Sequence, residues 1–414
     1  MKSVELFAGA GGLGLGVESA GYHHAAVVEI DRWACDTLAE NTKWPLHGWD
    51  NGDVRKFDYS PLVGKVDLVT GGPPCQPFSM GGRHRAFLDP RDMFPEAARA
   101  VKELQPKAFI FENVKGLKRQ AFTNYLEYIR LRLCHPDLIP RDGEEWLDHL
   151  KRLEDYETSG ANGGLAYNVV IRLLNAADYG VPQKRERVFI VGIREDLAAA
   201  FHFPDPTHSR DALLWSKWRD GDYWERHGIE PVENYREQTR ANKLREKPEK
   251  LPWQTVRDAL HDIPDPEFFP DEAMRIPDHR FIPGARSYPG HTGSPLDEPA
   301  KTLKAGVHGV PGGENMLRRP DDTIRYFSIR ESARLQTFPD SFRFHGSWGE
   351  TMRQLGNAVP VQLARIVVKS IREQIECSNE KGRTIQSIGQ EKPRGKRGER
   401  VASAETGDIA AGTV

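Results

Sequence analysis

Val4-Glu5-Leu6-Phe7-Ala8-Gly9-Ala10-Gly11-Gly12 joins a short apolar run to a glycine-rich turn. The following two hundred residues keep alternating short apolar runs with stretches that can form helices. The predicted strands are residues 4–7, 25–30, 66–70, 108–111 and 188–191. Such alternation is typical of an α/β domain whose mostly parallel, doubly wound, Rossmann-like sheet carries helices on both faces.

Polar residues follow several of these predicted strands directly. The glycine turn follows the first, Glu29 ends the second, Cys75 follows the third and Glu112 follows the fourth. In open parallel sheets, ligands bind beyond the carboxyl ends of the strands. The sequence therefore predicts a site at one sheet edge that contains a glycine loop, two carboxylates and a thiol.

The glycine turn has the spacing of a nucleotide-binding loop. Gly9, Gly11 and Gly14 satisfy G-x-G-x-x-G, and Glu29 follows at a distance where a carboxylate would accept hydrogen bonds from a ribose. This signal alone indicates a nucleoside cofactor without saying which, and a glycine turn beside a surface glutamate is the alternative. Asp53 would supply a further carboxylate, although a solvated turn residue fits nearly as well.

Cys75 lies in Gly72-Pro73-Pro74-Cys75-Gln76-Pro77-Phe78-Ser79. Prolines on both sides restrict the backbone and favour an extended loop, which suits a nucleophile that must meet an electrophilic carbon at one angle. A structural role for this thiol stays open from these residues alone. Cys35 and Cys134 lie in apolar segments, where burial blunts reactivity.

Composition narrows the class of protein. The chain has 414 residues and is 38% hydrophobic, so we expect two domains. Its net charge of -2 excludes a uniformly basic surface but leaves room for a local basic cleft. Its four cysteines form no CxxC pair. We expect neither a metal site nor disulfides, and a reducing cytosol. No apolar stretch approaches the roughly 20 residues that span a bilayer, and no signal peptide is recognised, so we expect a soluble protein.

The later part of the chain is less regular. Between residues 134 and 166 a charged stretch is interpreted as a surface insertion, and from 200 to 320 proline, glycine and charge replace the strand-helix rhythm. Four tryptophans lie in this second region: Trp215, Trp218, Trp224 and Trp253. A closing helix is predicted over 361–376, and the basic segment after it is predicted to be disordered.

Six motifs, taken in order, resemble those of the cytosine-C5 methyltransferases and frame residues 3 to about 376. They are Phe7-Ala8-Gly9-Ala10-Gly11-Gly12, Gly72-Pro73-Pro74-Cys75-Gln76-Pro77-Phe78-Ser79, Glu112-Asn113-Val114, Gln183-Lys184-Arg185-Glu186-Arg187, Arg330-Glu331-Ser332-Ala333-Arg334-Leu335-Gln336-Thr337-Phe338-Pro339 and Gln354-Leu355-Gly356-Asn357-Ala358-Val359-Pro360. The resemblance implies transfer of a methyl group from S-adenosylmethionine to a cytosine in double-stranded DNA.

The resemblance also implies residue roles. Cys75 would add to cytosine C6, Glu112 would protonate the ring at N3, Arg187 would hold the base oxygen and the glutamate, and Arg185 would lie beside the catalytic loop. Since side chains alternate along a strand, Gln183, Arg185 and Arg187 are predicted to share one face, although a strand edge with solvated charges is the alternative. The implied cofactor contacts are Phe7, Ala8, Gly9, Gly11, Glu29, Asp53, Asn357, Ala358 and Val359.

The domains then follow as 1–200 for catalysis and cofactor binding, 201–320 for target recognition, 321–376 as a return to the catalytic domain and 377–414 as a disordered basic tail. Within the second domain the segments 286–293 and 301–304 are net basic and glycine-rich, so we expect them to face a DNA groove. The predicted DNA contacts are Gln76, Ser79, Arg286 and Lys304. We expect a monomer in a bacterial cytoplasm.

Three other functions stay open on the sequence. An RNA cytosine methyltransferase would use the same catalytic set, and an inactive DNA-binding relative would keep the fold without the reaction. A nicotinamide-dependent oxidoreductase could use the glycine loop, but it would leave Cys75 and the Gln-x-Arg-x-Arg strand without a role.

Overall fold

A computed structural model describes residues 1–74, 92–160, 163–289, 291–305 and 315–389, with backbone only for 379–389. Cys75, Gln76 and Ser79 therefore lie outside the described residues. The strands are β1 Lys2–Leu6, β2 His23–Val28, β3 Leu46–His47, β4 Leu68–Gly71, β5 Ala108–Val114, β6 Tyr167–Asn175, β7 Glu186–Arg194, β8 His208–Ser209, β9 Leu251–Pro252, β10 Ser294–Pro295, β11 Met316–Arg318 and β12 Ile324–Tyr326.

The helices alternate with these strands in the first part of the chain and cluster at its end. They are α1 Gly12–Ser19, α2 Arg32–Asn41, α3 Phe94–Leu104, α4 Thr123–Cys134, α5 Trp146–Ser159, α6 Arg210–Trp215, α7 Asp222–His227, α8 Tyr235–Asn242, α9 Val256–Leu260, α10 Pro270–Ala273, α11 Ile329–Leu335, α12 Trp348–Asn357 and α13 Val361–Gly389.

The main sheet has seven strands in the order β3-β2-β1-β4-β5-β7-β6. β1 pairs in parallel with β2 and β4, β4 pairs in parallel with β5, and β7 runs antiparallel to both β5 and β6. The predicted mostly parallel α/β fold is confirmed. β6 was absent from the predicted strands because exposed polar residues such as Asn168 and Arg172 interrupt its apolar pattern.

Helices cover both faces of the sheet. Leu13 and Val17 of α1 pack with Leu363 and Val367 of α13 in one core, and α3, α4 and α5 contribute to a second core on the other strand faces. A Cβ atom added at Gly16 would collide with Ala364, so α1 and α13 are in close contact. The last helix, α13, is thereby packed against α1, the first helix of the chain.

The last helix is longer than predicted. It was expected to end near residue 376, yet α13 continues to Gly389, so the prediction of disorder is wrong for residues 377–389. No proline occurs in this stretch before Pro393, and lysine, arginine and glutamine have high helix propensity. Residues 390–414 lie outside the described residues.

The predicted insertion contains α5, which packs on α4. His149 is fully buried, with Nδ1 2.9 Å from the Tyr128 hydroxyl and Nε2 2.9 Å from the Leu138 carbonyl oxygen. Leu150 and Leu153 are buried in the same core. The stretch is therefore joined to the catalytic fold by its own apolar face.

Residues 201–289, 291–305 and 315–326 form short strands and helices rather than a regular layer. β8 pairs with β9, and β10, β11 and β12 form a three-stranded sheet. The tryptophans serve packing: Trp224 packs with Leu213 and Tyr223, and Trp253 Nε1 donates to Asp178 Oδ1 at 2.9 Å. An irregular region is present, and its exact limits as a domain stay a prediction.

Over the described ranges, none of the helices has both the length and the apolar character needed to cross a membrane.

Candidate active site

The glycine loop follows β1 with an unusual backbone. Phe7, Gly9 and Gly11 all have positive φ angles, of 55°, 55° and 83°. This conformation turns the chain sharply from β1 into α1, and glycine adopts it without strain. A Cβ atom added at Gly9 would meet no atom of the described residues within 4 Å, so the loop borders open space. The loop can therefore approach a ligand through its backbone.

Glu29 fixes this loop from the neighbouring strand. Its Oε2 accepts a hydrogen bond from the Gly9 amide at 2.6 Å, and its Oε1 accepts one from the Asp31 amide at 2.7 Å. Burial raises the pKa of the carboxyl, and the backbone donors oppose that rise. Each carboxylate oxygen has two lone pairs, so Glu29 can still accept bonds from a ribose.

Asp53 lies in the same corner, but its carboxylate is engaged. A Cβ atom added at Gly52 would collide with the Glu29 carbonyl, which places this loop against the end of β2. The Asp53 carboxylate accepts two hydrogen bonds from the Arg55 guanidinium, both at 2.8 Å. These bonds hold the pKa of the Asp53 carboxyl below its ordinary value. Contact between Asp53 and a cofactor amine stays a prediction.

The segment after α12 meets the start of α1. A Cβ atom added at Gly12 would collide with the Val359 carbonyl oxygen and come within 3.3 Å of Ala358 Cβ. The structure thus brings together the two parts of the chain that were predicted to share the cofactor, namely the glycine loop and residues 357–359. The cofactor contacts themselves stay a prediction.

Glu112 and Arg187 form a buried ion pair across β5 and β7. Arg187 Nε lies 2.9 Å from Glu112 Oε1, and the two side chains are 11% and 8% exposed. Burial raises the pKa of the Glu112 carboxyl, while Arg187 and then Arg185 oppose the rise. The predicted association of Arg187 with this glutamate is present.

The stretch that leads to Cys75 passes this carboxyl. A Cβ atom added at Gly72 would lie 3.5 Å from Glu112 Oε2, and Asn113 Nδ2 donates to the Pro73 carbonyl at 3.0 Å. The chain therefore reaches Pro74, the residue before Cys75, beside Glu112. Cys35 and Cys134 are buried, and burial raises the pKa of both thiols to about 12, so neither competes as a nucleophile.

Side chains alternate along residues 183–187 as predicted. Gln183 and Arg185 are fully buried and Arg187 is nearly so, whereas Lys184 pairs with Glu298 and Glu186 pairs with Lys115 in more exposed positions.

Sequence reasoning missed the partners of Arg185. Its guanidinium donates to the backbone carbonyls of Leu303, Gly356 and Ala358 at 3.0, 2.7 and 2.8 Å. Its predicted place beside the catalytic loop concerns residues outside the described ones. The arginine therefore holds backbone segments together.

The two predicted DNA-facing segments adjoin one another. Lys301 Nζ donates to Thr292 Oγ1 at 3.1 Å, and the Lys301 amide donates to Ser294 Oγ at 3.0 Å. Arg286 and Lys304 are both exposed. A basic surface with two exposed cations is thus present, and its contact with DNA stays a prediction.

Glu5 is a buried carboxyl that sequence reasoning treated only as part of a strand. A Cβ atom added at Gly14 would lie 2.6 Å from Glu5 Oε2, so the side chain lies under the first turn of α1. Burial raises its pKa to about 8, partly opposed by the Gly14 backbone and the Thr70 hydroxyl. The sequence signal that could have identified this buried carboxyl is that Glu5 is the one charged residue in the apolar run 4–7.

A model of the C-5 cytosine-specific DNA methylase family matches residues 1–134 and 148–373. The chain belongs to this family. The methylase is 35% identical over 380 residues to the type II methyltransferase M.PspPI of Psychrobacter sp., which covers 89% of this chain and 78% of the relative. It is also 34% identical to the type II methyltransferase M.FnuDI of Fusobacterium nucleatum, in a match that covers 90% of this chain and 94% of the relative.

Solved structures share the fold of this methylase at lower identity. An E. coli protein described as a prophage-encoded DNA modification methyltransferase has a TM-score of 0.54 and 21% identity, with 91% of this chain and 99% of that one covered. The S. pombe Dnmt2 methyltransferase has a TM-score of 0.52 and 18% identity, with 92% and 99% covered. The family model leaves out residues 135–147, inside the predicted insertion.

C5 DNA methyltransferases use S-adenosylmethionine as methyl donor, and the residues present fit this cofactor. The Gly9 backbone borders open space, Glu29 offers acceptors for a ribose, and Ile30 beside it is 57% exposed, an apolar surface for a purine. The first turn of α1 has no side-chain cap, which leaves its amides available to a carboxylate.

Proposed function

We propose that this methylase is the modification enzyme of a type II restriction-modification system. It methylates C5 of a cytosine in a specific duplex sequence and so protects host DNA from a cognate endonuclease. The observation that carries the proposal is the buried Glu112–Arg187 pair, which lies where the chain enters the Cys75 segment and belongs to the same sheet as the glycine loop. The type II assignment is supported by relatives such as M.PspPI and M.FnuDI.

The first chemical step uses Cys75. Cytosine C5 is a poor nucleophile, so the thiolate adds to C6, and the electron pair of the C5–C6 bond moves onto C5 and the ring. S-adenosylmethionine, when bound, would supply the methyl group that C5 takes, its S–CH3 bond would break, and S-adenosylhomocysteine would leave. The glycine-loop backbone and Glu29 would hold that donor.

Glu112 and Arg187 relieve the charge that addition places on the ring. Glu112 would donate a proton at N3, and burial raises the pKa of its carboxyl, which favours proton uptake, while Arg187 opposes that rise. Arg187 Nε, 2.9 Å from Glu112 Oε1, fixes the orientation of that carboxyl, and Nη2 would donate to the base oxygen while Nη1 donates to the Glu186 carbonyl. After methyl transfer the C5 proton leaves, N3 returns its proton to Glu112 and Cys75 is expelled, and no side chain is assigned to the C5 proton.

The target base must leave the duplex. The C6 atom is covered inside the stack, and methyltransferases extrude the base before reacting. Segments 286–289, 291–293 and 301–304, with exposed Arg286 and Lys304, form the surface proposed to contact the groove and phosphates. Gln76 and Ser79, next to the nucleophile in sequence, are proposed to contact DNA at the flipped base.

An RNA cytosine methyltransferase is the second candidate. Three relatives that are 33–35% identical, M.PspPI, M.Eco47II and M.FnuDI, are named type II methyltransferases, which favours DNA. Equal amounts of duplex DNA and transfer RNA, incubated with labelled S-adenosylmethionine, distinguish the two. Label confined to DNA supports the proposal and label confined to RNA overturns it. Family membership removes the nicotinamide-dependent oxidoreductase.

We infer that one chain acts alone in the bacterial cytoplasm. All proposed catalytic groups come from one chain, its target is chromosomal DNA, and its relatives are bacterial. Light scattering that gave a mass near 46.8 kDa would support the monomer, and twice that mass would contradict it.

Methylation-sensitive sequencing tests the proposal directly. Plasmid DNA from cells that express the chain should carry 5-methylcytosine at one short motif and not elsewhere. DNA from cells expressing Cys75→Ala should lack it. Unmethylated DNA from cells with abundant wild-type protein would overturn the proposal.

A further inference from the structure

Arg185 joins two segments that serve different ligands in the proposed reaction. Its Nη1 donates to the carbonyl of Leu303, within the segment proposed to face DNA. Its Nη2 donates to the carbonyls of Gly356 and Ala358, on either side of the predicted cofactor residue Asn357. One guanidinium therefore connects the target side of the molecule to the cofactor side.

Two more buried side chains fix the target segment. The Leu303 amide donates to Gln183 Oε1 at 3.0 Å, and Gln183 Nε2 donates to the Leu335 carbonyl at 3.1 Å. Asn315 exchanges two hydrogen bonds of 2.9 Å with the backbone of Lys304. Gln183 and Asn315, like Arg185, are 0% exposed. The backbone of residues 303–304 is thus held on both sides by the interior.

The two segments also touch directly. A Cβ atom added at Gly356 would collide with the backbone of Lys304 and Ala305 and lie 2.7 Å from Ala305 Cα. No side chain separates the backbones. A shift of residues 356–358 must then either move 303–305 or break hydrogen bonds to a buried charge, which is costly.

We propose that Arg185 is a positioning residue that couples cofactor binding at residues 356–359 to the conformation of residues 301–305. The inference rests on the proposed function, since it needs the cofactor at that loop and DNA at that segment. Coupling between two sites is reciprocal, so an ordered target segment also strengthens cofactor binding. Arg185 thereby acts through backbone and touches neither ligand.

Hydrogen exchange with S-adenosylhomocysteine, the reaction product that cannot donate a methyl group, tests the coupling without DNA and without turnover. In the full wild-type chain, the ligand should slow exchange in peptides covering 354–359 and 300–305, the latter by about fivefold or more. In Arg185→Lys the first peptide should still be protected and the second should not, because a lysine cannot reach three carbonyls in the guanidinium plane.

Lys184→Met is the matched control. Lys184 directly precedes Arg185 in the chain, and its ammonium pairs with Glu298 in a partly exposed position. This variant should show the wild-type pattern at both peptides.

The outcomes separate the two proposals. If S-adenosylhomocysteine does not bind the wild-type chain, the proposed function falls. If it binds and protects 354–359 but leaves 300–305 unchanged, only the coupling falls. Retained protection of 300–305 in Arg185→Lys would also overturn the role of Arg185. If Arg185→Lys fails to fold, the wild-type comparison still tests the coupling, which falls if exchange at 300–305 does not change on ligand binding.

Discussion

Replacing Glu112 by glutamine tests the acid on which the proposed reaction depends. Glutamine keeps the shape of the side chain but cannot deliver a proton at N3. General acid catalysis contributes about 10²–10⁴ in rate, so kcat should fall by that factor, equivalent to about 3–5 kcal/mol in the barrier. Binding of S-adenosylhomocysteine should change little, because the cofactor is predicted to contact the glycine loop rather than Glu112.

The same change leaves Arg187 buried without its anion. Breaking a buried ion pair lowers the free energy of unfolding by about 3–5 kcal/mol. This range is an upper limit for Glu112→Gln, because Arg187 keeps its hydrogen bond of 2.9 Å to the Glu186 carbonyl. Urea unfolding must therefore accompany the kinetics, which are compared at temperatures where both proteins are folded. Glu186→Gln is the control, since Glu186 pairs with Lys115 in an exposed position. Its stability should change by less than about 1 kcal/mol.

Single-turnover methylation of duplex DNA is the assay, because it reports the chemical step apart from product release. The reasoning is refuted if folded Glu112→Gln methylates within threefold of the wild-type rate. It is equally refuted if Glu186→Gln slows the step as much as Glu112→Gln does.

Two further predictions follow from buried contacts near the cofactor loop. Gly12→Ala, which drives a methyl group into the Val359 carbonyl, should weaken S-adenosylhomocysteine binding in calorimetry by about tenfold or more, since overpacking costs about 1–3 kcal/mol. Gly163→Ala places its methyl group more than 4 Å from other atoms of the described residues and should bind normally; equal affinity of the two variants would contradict the packing argument. Glu5 has a pKa of about 8 in the fold against an ordinary 4.5, so the folded chain binds more protons between these values and Glu5 contributes less stability as pH rises. The unfolding free energy of wild type minus that of Glu5→Gln should fall by a few kcal/mol between about pH 5 and pH 8 in urea titrations, and a constant difference would show that Glu5 is not protonated in the fold.

The sheet and the placement of Glu29 and Glu112 could be predicted because each residue ends or follows a run of apolar residues. Parallel strands bring such positions to one edge whatever the loops between them do. The alternation of residues 183–187 was predictable because successive side chains of an extended backbone point to opposite sides, although β7 itself begins only at Glu186.

Other features left no sequence signal. The partners of Arg185 are backbone carbonyls 118, 171 and 173 residues away, and a carbonyl is present at every residue. The opposite charges of Asp53 and Arg55 are visible in the sequence, but their salt bridge also needs particular side-chain rotamers, which the sequence does not specify. The continuation of α13 to Gly389 could not be predicted because the residues in it are mostly polar, and polar residues suit a helix and a disordered tail equally well.

The measurement that tests the central claim most directly is mass spectrometry of the protein after incubation with S-adenosylmethionine and a duplex carrying 5-fluorocytosine at the methylated position. Fluorine cannot leave C5 as a proton does, so the enzyme should remain bonded to the methylated base through Cys75. The expected result is a stable adduct whose peptide maps to residues 72–79, with none in Cys75→Ser although that variant still binds S-adenosylhomocysteine. An adduct on another residue, or full methylation of normal DNA by Cys75→Ala, would contradict the proposed chemistry.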